Sequence, residues 1–367
     1  MKIQVRALST GSVAIGLVVL AACSSGGGTT TSGAASPPAT ANASAASLGI
    51  PQSLVKSACA EGKLTLYQLD VTPAVTNLNA AFRKAYPCLN VTSSEGVGGT
   101  MLTKYQAAVA AKTPPDYLEL SLAGDMEQMA SQGQFLKFTP VEGSNVSALV
   151  PGLVYADFFL QMGVMYNTSV VTPAMISQLK SWSDIDNPAF AKLNIGLVSP
   201  AAGGTAETAW YYLVHTLGQS FAENFVKTHH ITPFPSAQPA AEALASGQVD
   251  LLLPEASSSA LALWKAGAPV RFAIPSPEVT TATAIAIPVG APDPSAAELY
   301  EDYVLSSAGQ NFYEQGNYGF PSNSTIPFSN PVAQQSWWSV PSQSFSYQAQ
   351  AVNAASSSLV ALFNSWT

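Results

Sequence analysis

Lys63 to Thr100 reads KLTLYQLDVTPAVTNLNAAFRKAYPCLNVTSSEGVGGT, and the fold can be read outward from it. Leu64, Leu66 and Tyr67 form a short apolar run of strand length after Gly62. Thr72 can cap a helix, and Pro73 suits its first turn, where a missing N–H costs nothing. Val75, Leu78, Phe82 and Ala85 then recur on one face at helical spacing. Pro87 stops the helix, because a residue before proline is pushed out of the α region. Leu89 to Thr92 reads as a second strand. Strand, helix and strand make a βαβ unit, which requires a parallel sheet and a right-handed crossover. Loops at the carboxyl ends of such strands are where α/β proteins hold small molecules. In this chain they are Gln68–Thr72 and Ser93–Thr100.

Bulk properties narrow the function. The chain has 367 residues, enough for two domains, with 10% charged residues and a net charge of −8. That balance leaves no basic footprint for nucleic acid and no attraction to anionic lipid. The three histidines are His215, His229 and His230. The adjacent pair diverges and has no cysteine or carboxylate ligands nearby in sequence, so it reads as a solvated loop. Neither a metal site nor a cofactor is expected.

The cysteines carry more. Lys2 and Arg6 precede an apolar run from Val13 to Leu20, and Leu20-Ala21-Ala22-Cys23 closes it. A charged start, a short apolar segment and small residues describe a signal peptide over residues 1–22. Cys23 after the small residues resembles the bacterial lipobox, which implies cleavage before Cys23 and its acylation. Residues 23–59 are assigned as the lipidated cysteine and a flexible tether; Ser24 to Ser47 is almost all Gly, Ser, Thr, Ala and Pro. Cys59 and Cys88 remain, an even pair in an exported chain. They stand before neighbouring parallel strands that begin at one sheet edge, so a disulfide is expected. It would close about thirty residues and stabilise by roughly 3–4 kcal/mol.

Further along, helices are predicted over 101–111, 125–132, 205–217, 237–246, 295–306, 308–315 and 352–363. Strands are predicted over 116–120, 164–166, 195–199, 249–253 and 282–289. Trp337-Trp338, in a tail rich in Pro and Ser, is expected to cover the core.

The ordered set of signals resembles a known family. Leu64-Thr65-Leu66-Tyr67, Ala81-Phe82, Tyr86-Pro87, the small-residue loop 97–100 and Tyr166-Asn167 fit. Trp182-Ser183-Asp184 with Asn187-Pro188, Gly203-Gly204-Thr205, and Ala296 to Tyr300 with Leu305-Ser306 and Gly309-Gln310 fit as well. Over about residues 60–325 the chain is similar to the extracellular solute-binding proteins of ABC importers, in the subgroup of ferric-iron, thiamine and aminophosphonate binders. The resemblance implies an α/β fold of two lobes joined by two hinge strands, with ligand enclosed in the cleft between them. Lobe 1 would comprise 60–160 plus 283–367, and lobe 2 would comprise 166–275. It also implies a monomer, lipid-anchored at the outer face of the membrane, that delivers a small solute to permease subunits and catalyses nothing.

Strand-end loops in the implied cleft offer Gln68, Glu95, Gly98, Gly99, Thr100 and Ser121 from lobe 1. Lobe 2 offers Gly204, Thr205, Glu255 and Ser257. Gly99-Thr100 and Gly204-Thr205 open helices, whose free N–H groups and positive dipole ends favour an anionic group. Glu95 and Glu255 would oppose a simple anion, so the ligand is read as a small zwitterion or anion. Ferric binders of the subgroup resemble one another in adjacent tyrosines after a second-lobe strand, whereas the matching place is Leu253 to Ser257. Tyr211-Tyr212 falls mid-helix, with Tyr212 predicted to point away from the core. Ferric ion is therefore the alternative ligand. A secreted enzyme or a carbohydrate-binding cell-wall protein is the alternative class. The Ser53-x-x-Lys56 and Ser177-x-x-Lys180 matches to a nucleophile pattern lack their companion motifs.

Overall fold

The computed structural model describes residues 45–69, 74–96, 98–317, 319–328, 331–338 and 348–367. The signal peptide, Cys23, the cap at Thr72 with Pro73, and Val97 lie outside the described residues. The first elements are α1 (Gln52–Glu61), β1 (Lys63–Leu69), α2 (Ala74–Ala85), β2 (Asn90–Gly96), α3 (Gly98–Ala110), β3 (Tyr117–Leu120) and α4 (Ala123–Ser131). β1 pairs in parallel with β2, Lys63 opposite Asn90, and with β3. α2 buries Val75, Leu78 and Phe82 as its spacing predicts. α1 corrects the tether assignment of 23–59: it is a helix with Ala58 fully buried. Its last residue, Glu61, accepts the Ser295 and Ala296 N–H groups at 3.1 and 2.7 Å. Cys59 in α1 is bonded to Cys88, with the Cα atoms 5.3 Å apart.

Next come β4 (Ala148–Val150), β5 (Val154–Asn167), α5 (Pro173–Ile176), β6 (Asn194–Val198) and α6 (Gly204–Tyr212), which a π turn extends through Leu217. α7 (Gln219–Thr228), β7 (His230–Phe234), α8 (Ala237–Ala245), β8 (Leu251–Ala256), α9 (Ser257–Lys265) and β9 (Val270–Ala273) follow. The chain returns through β10 (Val279–Ala286), α10 (Pro294–Leu305), α11 (Ser307–Asn317) and β11 (Phe320–Pro321), and ends in α12 (Ala349–Trp366).

One sheet runs through the described residues in the order β2-β1-β3-β10-β5-β8-β6-β7, with β4, β9 and β11 also on β5. β5 holds it together. Its first half pairs antiparallel with β10, and its second half pairs with β8 and β9. The cores divide at the same place. Tyr155, Ala156 and Phe158 pack with residues of β1–β3, α2 and α10. Val164, Met165 and Tyr166 pack with those of β6–β8, α6 and α8. β10 spans the division too, with Ile285 on the first side and Val279 on the second. The molecule is therefore a two-lobe α/β fold joined by two hinge strands, β5 and β10.

The C-terminal tail is not confined to the first side. Val332 and Trp338 pack in the second lobe beside Phe272. Along α12, Ala349 packs with Met126 and Ala130 of α4, whereas Leu359 and Phe363 pack with Trp210 of α6. Gly124 makes the α4 contact possible, since a Cβ there would lie 2.5 Å from the Ala349 carbonyl oxygen.

Candidate solute site

β3 delivers Ser121 to the place where two helices begin. α3 starts at Gly98, where a Cβ would sit 3.6 Å from Ser121 Oγ. α6 starts at Gly204, where a Cβ would sit 3.3 Å from the Ser121 carbonyl and 3.4 Å from its Oγ. Gly203 and Gly204 hold φ of +77° and +47°, which a side chain would strain, so the glycine pair lets α6 approach Ser121. One helix belongs to each lobe. Their first N–H groups have no intrahelical acceptor and carry the positive end of the dipole.

Of the expected residues, the structure thus brings Gly98, Ser121 and Gly204 together. Gly99 and Thr100 follow on the exposed start of α3, with nothing within 4 Å of a Gly99 Cβ. Thr205 follows Gly204, half-buried. Glu95, near the end of β2, is exposed. The others are placed differently. Gln68 is fully buried, donating to the Tyr300 hydroxyl at 2.7 Å and accepting from Asn79 Nδ2 at 2.9 Å. Both polar ends of its amide are engaged inside the first lobe, so it is a core residue. Glu255 and Ser257, at the end of β8 and the start of α9, are also enclosed. Ala256 N–H donates to Glu255 Oε1 at 2.9 Å, while Glu255 Oε2 and Ser257 Oγ find no partner among the described residues. Burial pushes the Glu255 carboxyl up to about 7.

The tyrosine pair is corrected in part. Tyr212 points into the core against Trp182, 3% exposed, and Tyr211 stacks on His215 with ring centroids 4.2 Å apart. α6 is enclosed on nearly every side, with Ala206 to Trp210 and Tyr212 to Val214 all buried, so no outward face is left for Tyr212. His229 is corrected as well: its ring lies against Phe225, with Asp186 at 3.7 Å. Among the described residues, no three His, Cys, Asp or Glu side chains are placed to hold a metal ion.

A cation beside the site escaped the sequence reading. Lys104, the seventh residue of α3, donates to Ser94 Oγ and lies 4.7 Å from the Tyr67 ring centroid. Its spacing of four from Thr100 was the available signal. Between α4 and α6 lie two carboxyls, Asp125 and Glu207, both pushed up by burial. Asn353 and Ser356 of α12 offset part of that rise.

Comparison with solved structures finds the same fold in proteins of low identity. Iron-bound HitA from Pseudomonas aeruginosa is 18% identical, with a TM-score of 0.66 over 83% of this chain and 98% of that one. The ferric binding protein from Campylobacter jejuni is 14% identical, with a TM-score of 0.67 over 82% and 98%. AfuA from Actinobacillus pleuropneumoniae, with fructose-6-phosphate bound, is 20% identical, with a TM-score of 0.64 over 83% and 97%. Comparison with curated protein sequences finds no match. Residues 65–320 match the bacterial extracellular solute-binding proteins along most of the folded chain. The chain belongs to that family.

Proposed function

We propose that this protein binds a small solute carrying an anionic group, and a positive one, between the starts of α3 and α6, and hands it to an ABC permease. The observation that supports this most is the convergence of the two glycine-opened helix starts on Ser121. Each such terminus stabilises an anion by about 0.3–1 kcal/mol when exposed and more when partly buried. Lys104 of α3, held at Ser94 and Tyr67, adds a cation to the same helix, and exposed Glu95 favours a ligand with an amine. AfuA's sugar phosphate is in keeping with an anionic group in this fold. In this reading the lobes are built on 60–160 plus the chain from 283 and on 166–275, with Val332 and Trp338 of the tail packed on the second and α12 on both. The protein works as a non-enzymatic monomer.

Ferric ion is a second reading, favoured by iron-bound HitA. Its weakness is the tyrosine pair, of which Tyr212 is spent on the core and Tyr211 on His215. Thermal-shift measurements separate the readings, because a ligand at a hundred times its Kd adds about 2.7 kcal/mol. 2-Aminoethylphosphonate or a sugar phosphate should raise Tm, and Ser121→Val should abolish the rise. A rise with neutral sugars alone overturns the proposal, and a rise with ferric ion alone transfers it to the second reading. Anchoring through Cys23 is part of the same proposal. Cys23→Ser should move the protein from membranes to the soluble fraction, and unchanged membrane association would refute it.

A further inference from the structure

The second lobe carries a cavity of about 820 Å³ away from the residues around Ser121. It opens beside β9, an edge strand that pairs only with β5 among the described strands. Tyr166, Val171, Ile176, Leu179 and Ile274 form much of its wall, and Trp337 of the tail closes one side. Tyr166, Val171, Leu179 and Ile274 are at most 9% exposed, so the wall is part of the packed lobe. Its volume lies in the range of pockets that enclose small molecules, about 300–1,000 Å³.

Charge distinguishes this cavity. The chain has 22 acidic residues against 14 basic ones, yet the charged residues lining the cavity are Lys180 and Arg271, with no carboxylate. Arg271 donates one N–H to the Val270 carbonyl at 2.8 Å and lies 5.3 Å from the Trp337 ring centroid. A guanidinium has five N–H donors, so four are left with no acceptor among the described residues. The indole shields one face of it from water, which strengthens whatever charged bond its edge makes. The Lys180 charge acts on Asp184, whose carboxylate also accepts the backbone N–H groups of Lys180 and Ser181. Neither cation has an ion pair among the described residues. A wall in which Val171, Ile176, Leu179 and Ile274 alternate with Thr168, Ser177, Ser276 and Ser336, with an unpaired planar cation at its rim, fits an amphipathic body that ends in a planar anion.

We propose that this cavity is a second ligand site, for a small amphipathic carboxylate. Its apolar or aromatic body would rest on Val171, Ile176, Leu179 and Ile274, and its carboxylate would meet the Arg271 fork with Lys180 beside it. The proposal does not depend on the solute site. 4-Phenylbutyrate, 4-phenylbutan-1-ol and 4-phenylbutylamine share a body and differ in charge. Calorimetric titration of the purified protein should give saturable binding of the acid, at least about tenfold weaker binding of the alcohol, and none of the amine. Added salt should weaken the acid and not the alcohol, a test that needs no variant. Arg271→Met should weaken the acid about tenfold, with Arg271→Lys between it and wild type. Hydrogen exchange should slow at residues 168–180 and 271–274 and not at 98–104 or 204–208. The site is refuted if acid and alcohol bind alike, if Arg271→Met binds unchanged, if protection falls on the helix starts, or if the acid does not saturate.

Discussion

Glu255 ends β8 with 1% of its surface exposed and one carboxylate oxygen unbonded among the described residues. Burial moves its carboxyl from an ordinary 4.5 to about 7. A group protonated more readily in the folded state contributes its stability at low pH and loses it as pH rises through the folded value. Glu255→Gln, which copies the protonated form, should therefore match wild type below about pH 4.5 and exceed it increasingly up to pH 7. The gain above that is on the order of 3 kcal/mol. Tm measured from pH 4.5 to 8 checks it, and a constant difference would refute it. Other buried acids behave alike: burial, with Asp157 close by, holds Glu119 well above the usual carboxylate range. Residues of this kind were the least legible in the sequence. Gln68 and Glu255 stand at strand ends, where a cleft residue and a buried polar residue look the same. Tyr300, which helps to hold Gln68 in the core, is 232 positions away. The helix starts were legible to within a residue, since glycines after a strand mark them: α6 opens at Gly204 as read, and α3 one residue before Gly99.

At the scale of elements, α4 and α12 meet at Gly124. A Cβ there would also lie 2.9 Å from Asn353 Cβ, so even alanine must push α12 away. Gly124→Ala should destabilise by about 1–3 kcal/mol, against the usual helical benefit of replacing glycine. The urea midpoint reads this directly, and a stabilised variant would show that α12 is loosely held. The opening βαβ unit was legible because α2 keeps a strict apolar face and Pro87 stops it. β5 was recognised only over its last residues. It has both faces buried and carries Asp157 and Gln161 inside, so no alternation marks it. α1 was missed for the opposite reason: five of its ten residues are exposed on a weakly apolar helix, and its hold on the fold comes from Ala58, Cys59 and Glu61.

At the scale of the molecule, α12 adds a third connection between the lobes beside the two hinge strands. Its start packs on α4, and its end inserts Leu359 and Phe363 beside Trp210, with the Phe363 and Trp210 rings 5.2 Å apart. Bending β5 and β10 therefore shears α12 against one lobe or carries it along. Truncation after Gln348 should enlarge the radius of gyration of the ligand-free protein in X-ray scattering and lower its Tm. An unchanged radius would mean that the hinge strands alone set the opening. The two-lobe plan was legible from the order of signals along the chain. The bridge was not, because an amphipathic helix at the end of a sequence does not say which surface it covers.

The attachment of α1 has a mechanical consequence. Glu61 at its end caps α10, and Cys59 ties it to Cys88, so α1 is fastened to the first lobe. Thr367 ends a helix whose last turns lie on the second lobe. The two ends of the folded chain thus ride on different bodies. A protein held by its upstream end would keep its first lobe as the fixed frame in a hinge movement of the second. A pair of fluorescent labels at the two ends would report that swing as a change in distance, making the molecule its own gauge of closure.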